Sequence, residues 1–149
     1  MSVPLSLREA IQARLLASPA ITTLVGSRIY FGALPQTASL LTGPALTFSI
    51  ISRPYGLNLG GADGTSSGHI QFSAWSLYQK TSDQLAQAVR DRFCGFAGSI
   101  GGLEITACIP EDEVDLPEPP RAGTDQWLYH IAVNYRMNHR VSLPTSLGA

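Results

Sequence analysis

The chain has 149 residues, enough for one domain with its own hydrophobic core and short for two. Hydrophobic residues make up 44%, an ordinary globular share, but charged residues make up only 14%, and 10 Lys and Arg against 11 Asp and Glu leave a formal net charge of -1. That balance excludes a general nucleic-acid or membrane-surface binder, which carries a basic excess, and excludes disorder, which combines low hydrophobicity with high net charge.

Ser6 to Ala17 reads as an amphipathic helix, with Ser6 and Glu9 at capping-box spacing and Leu7, Ala10, Ile11 and Leu15 near one face. Ser18-Pro19 restarts the chain as a short second helix ended by Gly26, because Pro suits the first helical turn and Gly the left-handed cap. Arg28 to Phe31 is a short strand, and Gly32 to Pro44 a loop. Ala45 to Ser52 alternates as a half-buried strand does. Positions 54–68, with five glycines, are expected to form a long mobile hairpin loop before a strand over 70–77. Thr81 to Phe93 is a helix with a second capping box at Thr81 and Gln84. Gly95 to Gly102 is a glycine-rich turn, Leu103 to Ile109 a strand, and Gln126 to Met137 the last strand, with a second long loop between them. The expected fold is α+β: a mainly antiparallel sheet of about four to five strands, helices on one face, in the order ααβββαββ. One domain is expected over 1–140, followed by a flexible tail over 141–149.

Cys94 and Cys108 match no zinc pattern and are too few for a disulfide scaffold, so two free thiols are expected. No apolar run reaches membrane-spanning length, and Met1 to Pro4 lack the basic and apolar regions of a signal peptide; a soluble cytosolic protein is expected. Gly64-Thr65-Ser66-Ser67-Gly68 fits the G-x-S-x-G expression of serine hydrolases. That motif needs a strand-to-helix turn, whereas here a glycine-rich loop precedes it and a strand follows it. A hydrolase using Ser66 with His69 or His130 rests on this match alone. His69, His130 and His139 form no metal triad, and the glycine runs lack both P-loop and dinucleotide spacing. No catalytic residue, metal or cofactor is expected.

The charge is unevenly placed. Residues 111–125 hold six of the eleven acids (Glu111, Asp112, Glu113, Asp115, Glu118 and Asp125) against one base, Arg121. The remaining chain holds nine bases against five acids. Nine of the ten bases are arginines, suited to bidentate pairing with carboxylates at interfaces. Arg28, Arg90 and Arg136 are candidate inter-subunit contacts. The hairpin loop 56–68, with neighbouring Tyr55, carries Leu57, Asn58, Leu59 and Asp63. The acidic loop 111–121 carries Glu111, Asp112, Glu113 and Asp115. Both are candidate partner contacts.

Several segments are familiar in order and spacing. They are Leu7-Arg8-Glu9-Ala10-Ile11 with Ile21-Leu24-Val25-Gly26 and Arg28-Ile29-Tyr30, then Pro44 to Ser52, His69 to Ser76, Ala86 to Phe93, and Tyr129 to Arg136. Over about residues 7–137 the chain resembles the bacteriophage tail completion protein family, formerly a domain of unknown function. The resemblance implies a tail terminator of a long-tailed phage or prophage. Such a subunit is α+β and closes into a homohexameric ring that caps the head-proximal end of the tail tube and stops its polymerisation. The ring joins the tail to the head connector or neck protein. DNA would be only passing cargo, and the hairpin loop 56–68 and the acidic loop 111–121 would contact partners or line its channel, where acids would repel phosphates and let the genome slide. No membrane would be involved, and assembly would take place in the host bacterial cytoplasm. A neck or head-completion protein nearer the portal is the alternative that the same resemblance leaves open.

Overall fold

The computed structural model describes residues 5–34, 43–53, 55–58, 61–120 and 127–140, and all their side chains except those of 55–58 and 61–63. The expected flexible tail over 141–149 lies outside the described residues.

Helix α1 (Leu7–Leu16) begins at the expected capping box. The Glu9 N–H donates to Ser6 Oγ at 3.2 Å, and the Ser6 N–H donates to Glu9 Oε1 at 3.1 Å. Helix α2 (Pro19–Val25) has Pro near its start and buries Ile21 and Val25. It ends at Gly26 with φ 61°, a conformation that disfavours a side chain. Helix α3 (Gln79–Phe93) starts two residues before the expected boundary. The cap is Tyr78, without a side-chain cap bond, and Thr81 lies inside the helix, so the second capping box does not form. A tertiary tie outweighs the local signal: buried Ser82 donates its hydroxyl to Tyr129 O at 2.8 Å and fixes the first turn against the sheet.

The strands are β1 (Ile29–Phe31), β2 (Ala45–Ser52), β3 (Tyr55–Asn58), β4 (Gly61–Ser76), β5 (Gly98–Ile100), β6 (Leu103–Asp115) and β7 (Tyr129–Arg140). They form one sheet in the order β1-β2-β4-β7-β6-β5, with β3 paired to the N-terminal part of β4. The architecture is α+β as expected, but the count among the described residues is seven strands rather than four or five. The sheet is also mixed, since β1 runs parallel to β2, with Phe31 opposite Phe48. The chain between them, 32–44, is long enough for the crossover that a parallel pair requires.

Three expected loops contain strands. The glycine-rich segment 54–68 holds β3 and the first half of β4, because β3 pairs with the start of β4 and β7 pairs with it from Thr65 onward, supplying ladder partners to residues whose own strand propensity is low. Gly68 faces α1 so closely that a Cβ there would lie 3.0 Å from Leu7 Cδ2, so glycine here serves helix–sheet packing. The turn 95–102 holds β5. The acidic segment continues β6 to Asp115, and an isolated bridge joins Glu118 to Leu128. Pro110 and the carboxylates are depleted from central strands, but a sheet edge tolerates both, and the register shift between Pro110 and Asp112 takes up the proline.

The core lies on one face. Leu7, Ile11 and Leu15 of α1 and Leu85, Val89 and Phe93 of α3 share a buried cluster with Ile70, Phe72, Ala74, Ile131, Val133, Tyr135 and Met137. Phe72 stands at its centre, with ring centroids 4.9 Å from Phe93 and 6.0 Å from Tyr135.

Candidate functional site

Because strand side chains alternate, the positions between the core residues point to the opposite face. Aligned across β2, β4, β7 and β6, these are Ser49, Gln71, Asn134 and Asp112. The Gln71 side-chain amide donates to Asn134 Oδ1 at 3.2 Å, and the Asn134 amide donates to Asp112 Oδ1 at 2.8 Å. On neighbouring strand positions His69 Nδ1 meets Glu111 Oε1 at 3.0 Å, and Ser67 Oγ donates to Asn138 Oδ1 at 2.5 Å. A groove of about 310 Å³ opens among Ser52, His69, Glu111, Asp112 and Asn134. Farther along the face, Trp75 stacks on His130 at 3.9 Å between centroids and 15° between planes, and its Nε1–H donates to Thr47 Oγ1 at 3.0 Å. Burial holds the His130 imidazole below the usual histidine range, against the opposing pull of Glu118. These polar groups bond chiefly to one another, which favours a built contact surface over a reactive centre.

Ser66 occupies the middle of a strand, 2% exposed, with Tyr55 and His139 as its register partners. There is no strand-to-helix turn. His69 has the opposite strand parity, so it points to the other face. His130 pairs with Trp75, nine strand residues from Ser66, or roughly 30 Å. Neither proposed histidine can take a proton from Ser66 in this geometry. His69 and His130 are not neighbours either, being six strand positions apart, or roughly 20 Å. Among the described residues no group of three His, Cys, Asp or Glu could hold a metal ion, and no helix is long and apolar enough to cross a membrane.

The other candidate residues divide between the sheet and the helices. Tyr55, Leu57 and Asn58 stand on β3, and Asp63 on β4; Leu59 lies outside the described residues. Glu111, Asp112, Glu113 and Asp115 are all exposed on β6. Arg90 of α3 reaches Glu113 within the same chain, gripping both carboxylate oxygens while its other nitrogen donates to Gln87. Arg28 is half-buried just before β1, and Arg136 is exposed on β7 opposite His69 and Ile109. The residues the sequence reading missed are Gln71, Asn134 and Asn138. Their signal was polar residues at alternate positions of two apolar strands, but only the register shows that they meet.

Known proteins bear on the fold and the family. No curated protein matches the chain. A chain in a solved structure of the virion of a native gene transfer agent particle has the same fold, with a TM-score of 0.69 at 18% identity. The match covers 91% of this chain and 95% of that one. The family profile described as tail completion protein gp17 matches residues 9–140, from the capping box of α1 to the end of β7. With nearly every element of the fold inside that match, the chain belongs to the tail completion protein gp17 family, as a structural tail protein.

Proposed function

We propose that this protein is a tail terminator. Six copies close into a ring on the head-proximal end of the tail tube, end its polymerisation and present a surface to the head connector. The carrying observation is the family match across 9–140. The likeness to a chain of a gene transfer agent virion over nearly the whole of both chains supports the same fold in a particle. A subunit of this kind acts by geometry: a head-to-tail contact that closes on itself at a fixed number of copies cannot propagate as a filament. The bonded polar face and the exposed acidic strand β6 suit docking to protein partners, and DNA passes through without being held.

Native mass spectrometry of the purified chain, alone and with tail tube protein, tests this reading. A hexamer, or hexamers forming on tube ends, is the expected result. A chain that stays monomeric at every concentration and never joins tube ends would sink it. Immunogold labelling of tails that lack heads separates a terminator, already present on free tails, from a neck protein that arrives with the head.

A further inference from the structure

The sheet has two edges of different character. Along β6, β5 pairs with Leu103–Ile105, and the Gly95 N–H reaches Cys108 O at 3.0 Å. From Ile109 onward no further strand pairs with the outer side among the described residues, and every residue from Ile109 to Pro117 is exposed. The Leu116 N–H donates inward to His130 O at 2.7 Å, so strand alternation turns the Asp115 amide outward. This edge therefore offers main-chain bonding groups, the apolar side chains of Ile109, Val114 and Leu116 at 40–44% exposure, and the carboxylates of Glu111, Asp112, Glu113 and Asp115. Two such edges repel each other, so like does not pair with like; an edge carrying cations is the fitting partner.

The opposite edge has that chemistry. β1 pairs only with β2 among the described residues. Its Phe31 is 42% exposed, and the exposed Arg8 of α1 holds its guanidinium 4.6 Å over the Phe31 ring. We propose that the β6 edge of one copy docks on the β1 edge of a second copy, with Asp115 and its neighbours meeting Arg8 and the apolar residues of β6 covering Phe31. Such a contact joins unlike surfaces and is therefore head-to-tail. It rests on the ring reading and adds which edges meet.

Charge swapping tests it. Asp115→Arg and Arg8→Glu should each weaken self-association roughly tenfold or more, because like charges then face each other. An equimolar mixture of the two variants should restore the oligomer, since every contact in an alternating ring again joins opposite charges. Asp115→Pro removes one outward amide and leaves the ladder to β7 intact, so it should also give monomers. Circular dichroism melts near that of the parent chain would show that each variant is folded. If the parent forms rings and Asp115→Pro and Asp115→Arg form them equally well, or if mixing restores nothing, the docking edge is wrong and the ring stands. A parent chain that remains monomeric with and without tube protein overturns both.

Discussion

His139 is 4% exposed on the core side of β7, and neither ring nitrogen has a hydrogen-bond partner among the described residues. Burial is the main reason its imidazole is held below the usual histidine range; the charge of Arg53 adds to this, and only the nearby Arg140 backbone opposes it. A lowered folded value means that the unfolded chain takes up the proton first. Stability is therefore complete above the unfolded value of about 6.5 and is lost as pH falls below it. Melting temperatures followed from about pH 7.5 to about pH 5 should decline, and His139→Leu should flatten that decline, with His130 supplying the remaining slope. The two cysteines differ in the same way. Burial pushes the Cys108 thiol up to about 12, whereas Cys94 is exposed. A thiol reagent at neutral pH should modify Cys94 alone in the native protein and both residues after denaturation. At the alkaline end the unfolded thiol ionises first, so Cys108 costs stability as pH rises from about 9 towards 12.

At the scale of elements, the ends of α1 and α3 are tied by a reciprocal pair. Arg14 donates through two nitrogens to Arg92 O at 3.2 and 2.7 Å, and Arg92 Nε donates to Arg14 O at 3.0 Å. Each guanidinium thus satisfies a carbonyl in the other helix's last turn, where intrahelical partners run out. The Arg14 guanidinium also lies 3.4 Å over the Phe96 ring. Arg14→Ala removes these contacts together and should cost about 1–3 kcal/mol in urea unfolding. Arg14→Lys should recover only part, because an ammonium cannot make the forked contact. The sequence shows Arg14 near the end of one amphipathic helix and Arg92 near the end of another, but not that the two helices end side by side. The helices themselves were legible because the 3.6-residue period and the Ser6–Glu9 box are local. The first half of β4 and the far half of β6 were not. Glycines and carboxylates have little strand preference of their own; β3 and then β7 pair with the first half of β4, and β7 pairs with the far half of β6.

At the scale of the molecule, the near-zero net charge conceals opposite charges on different parts of one sheet. Exposed carboxylates line the β6 edge, and Arg8 overlies the β1 edge. If these edges meet between copies, association should weaken as salt rises from about 0.1 M to about 1 M and the Debye length falls from roughly 10 Å to roughly 3 Å. Sedimentation velocity across that range would show it, and salt-independent association would point to an apolar contact elsewhere. Some carboxylates are partly satisfied within the chain, Glu111 by His69 and Glu113 by Arg90. Asp115 therefore offers the cleaner substitution.

By itself the sequence determined the α+β class, both ends of α1 and α2, all of β2, and the uneven placement of charge. Each of these follows from short-range periodicity, capping or composition. The order and spacing of its segments also carried the family resemblance. Only the tertiary structure decided that β1 runs parallel to β2, that Ser66 is a buried strand residue, and that Gln71, Asn134 and Asp112 form one bonded row. The acids read as a loop became the rim of a sheet in the same way. The physical reason is common to all four: strand pairing joins residues far apart in the chain, and its register depends on partners that no local window contains.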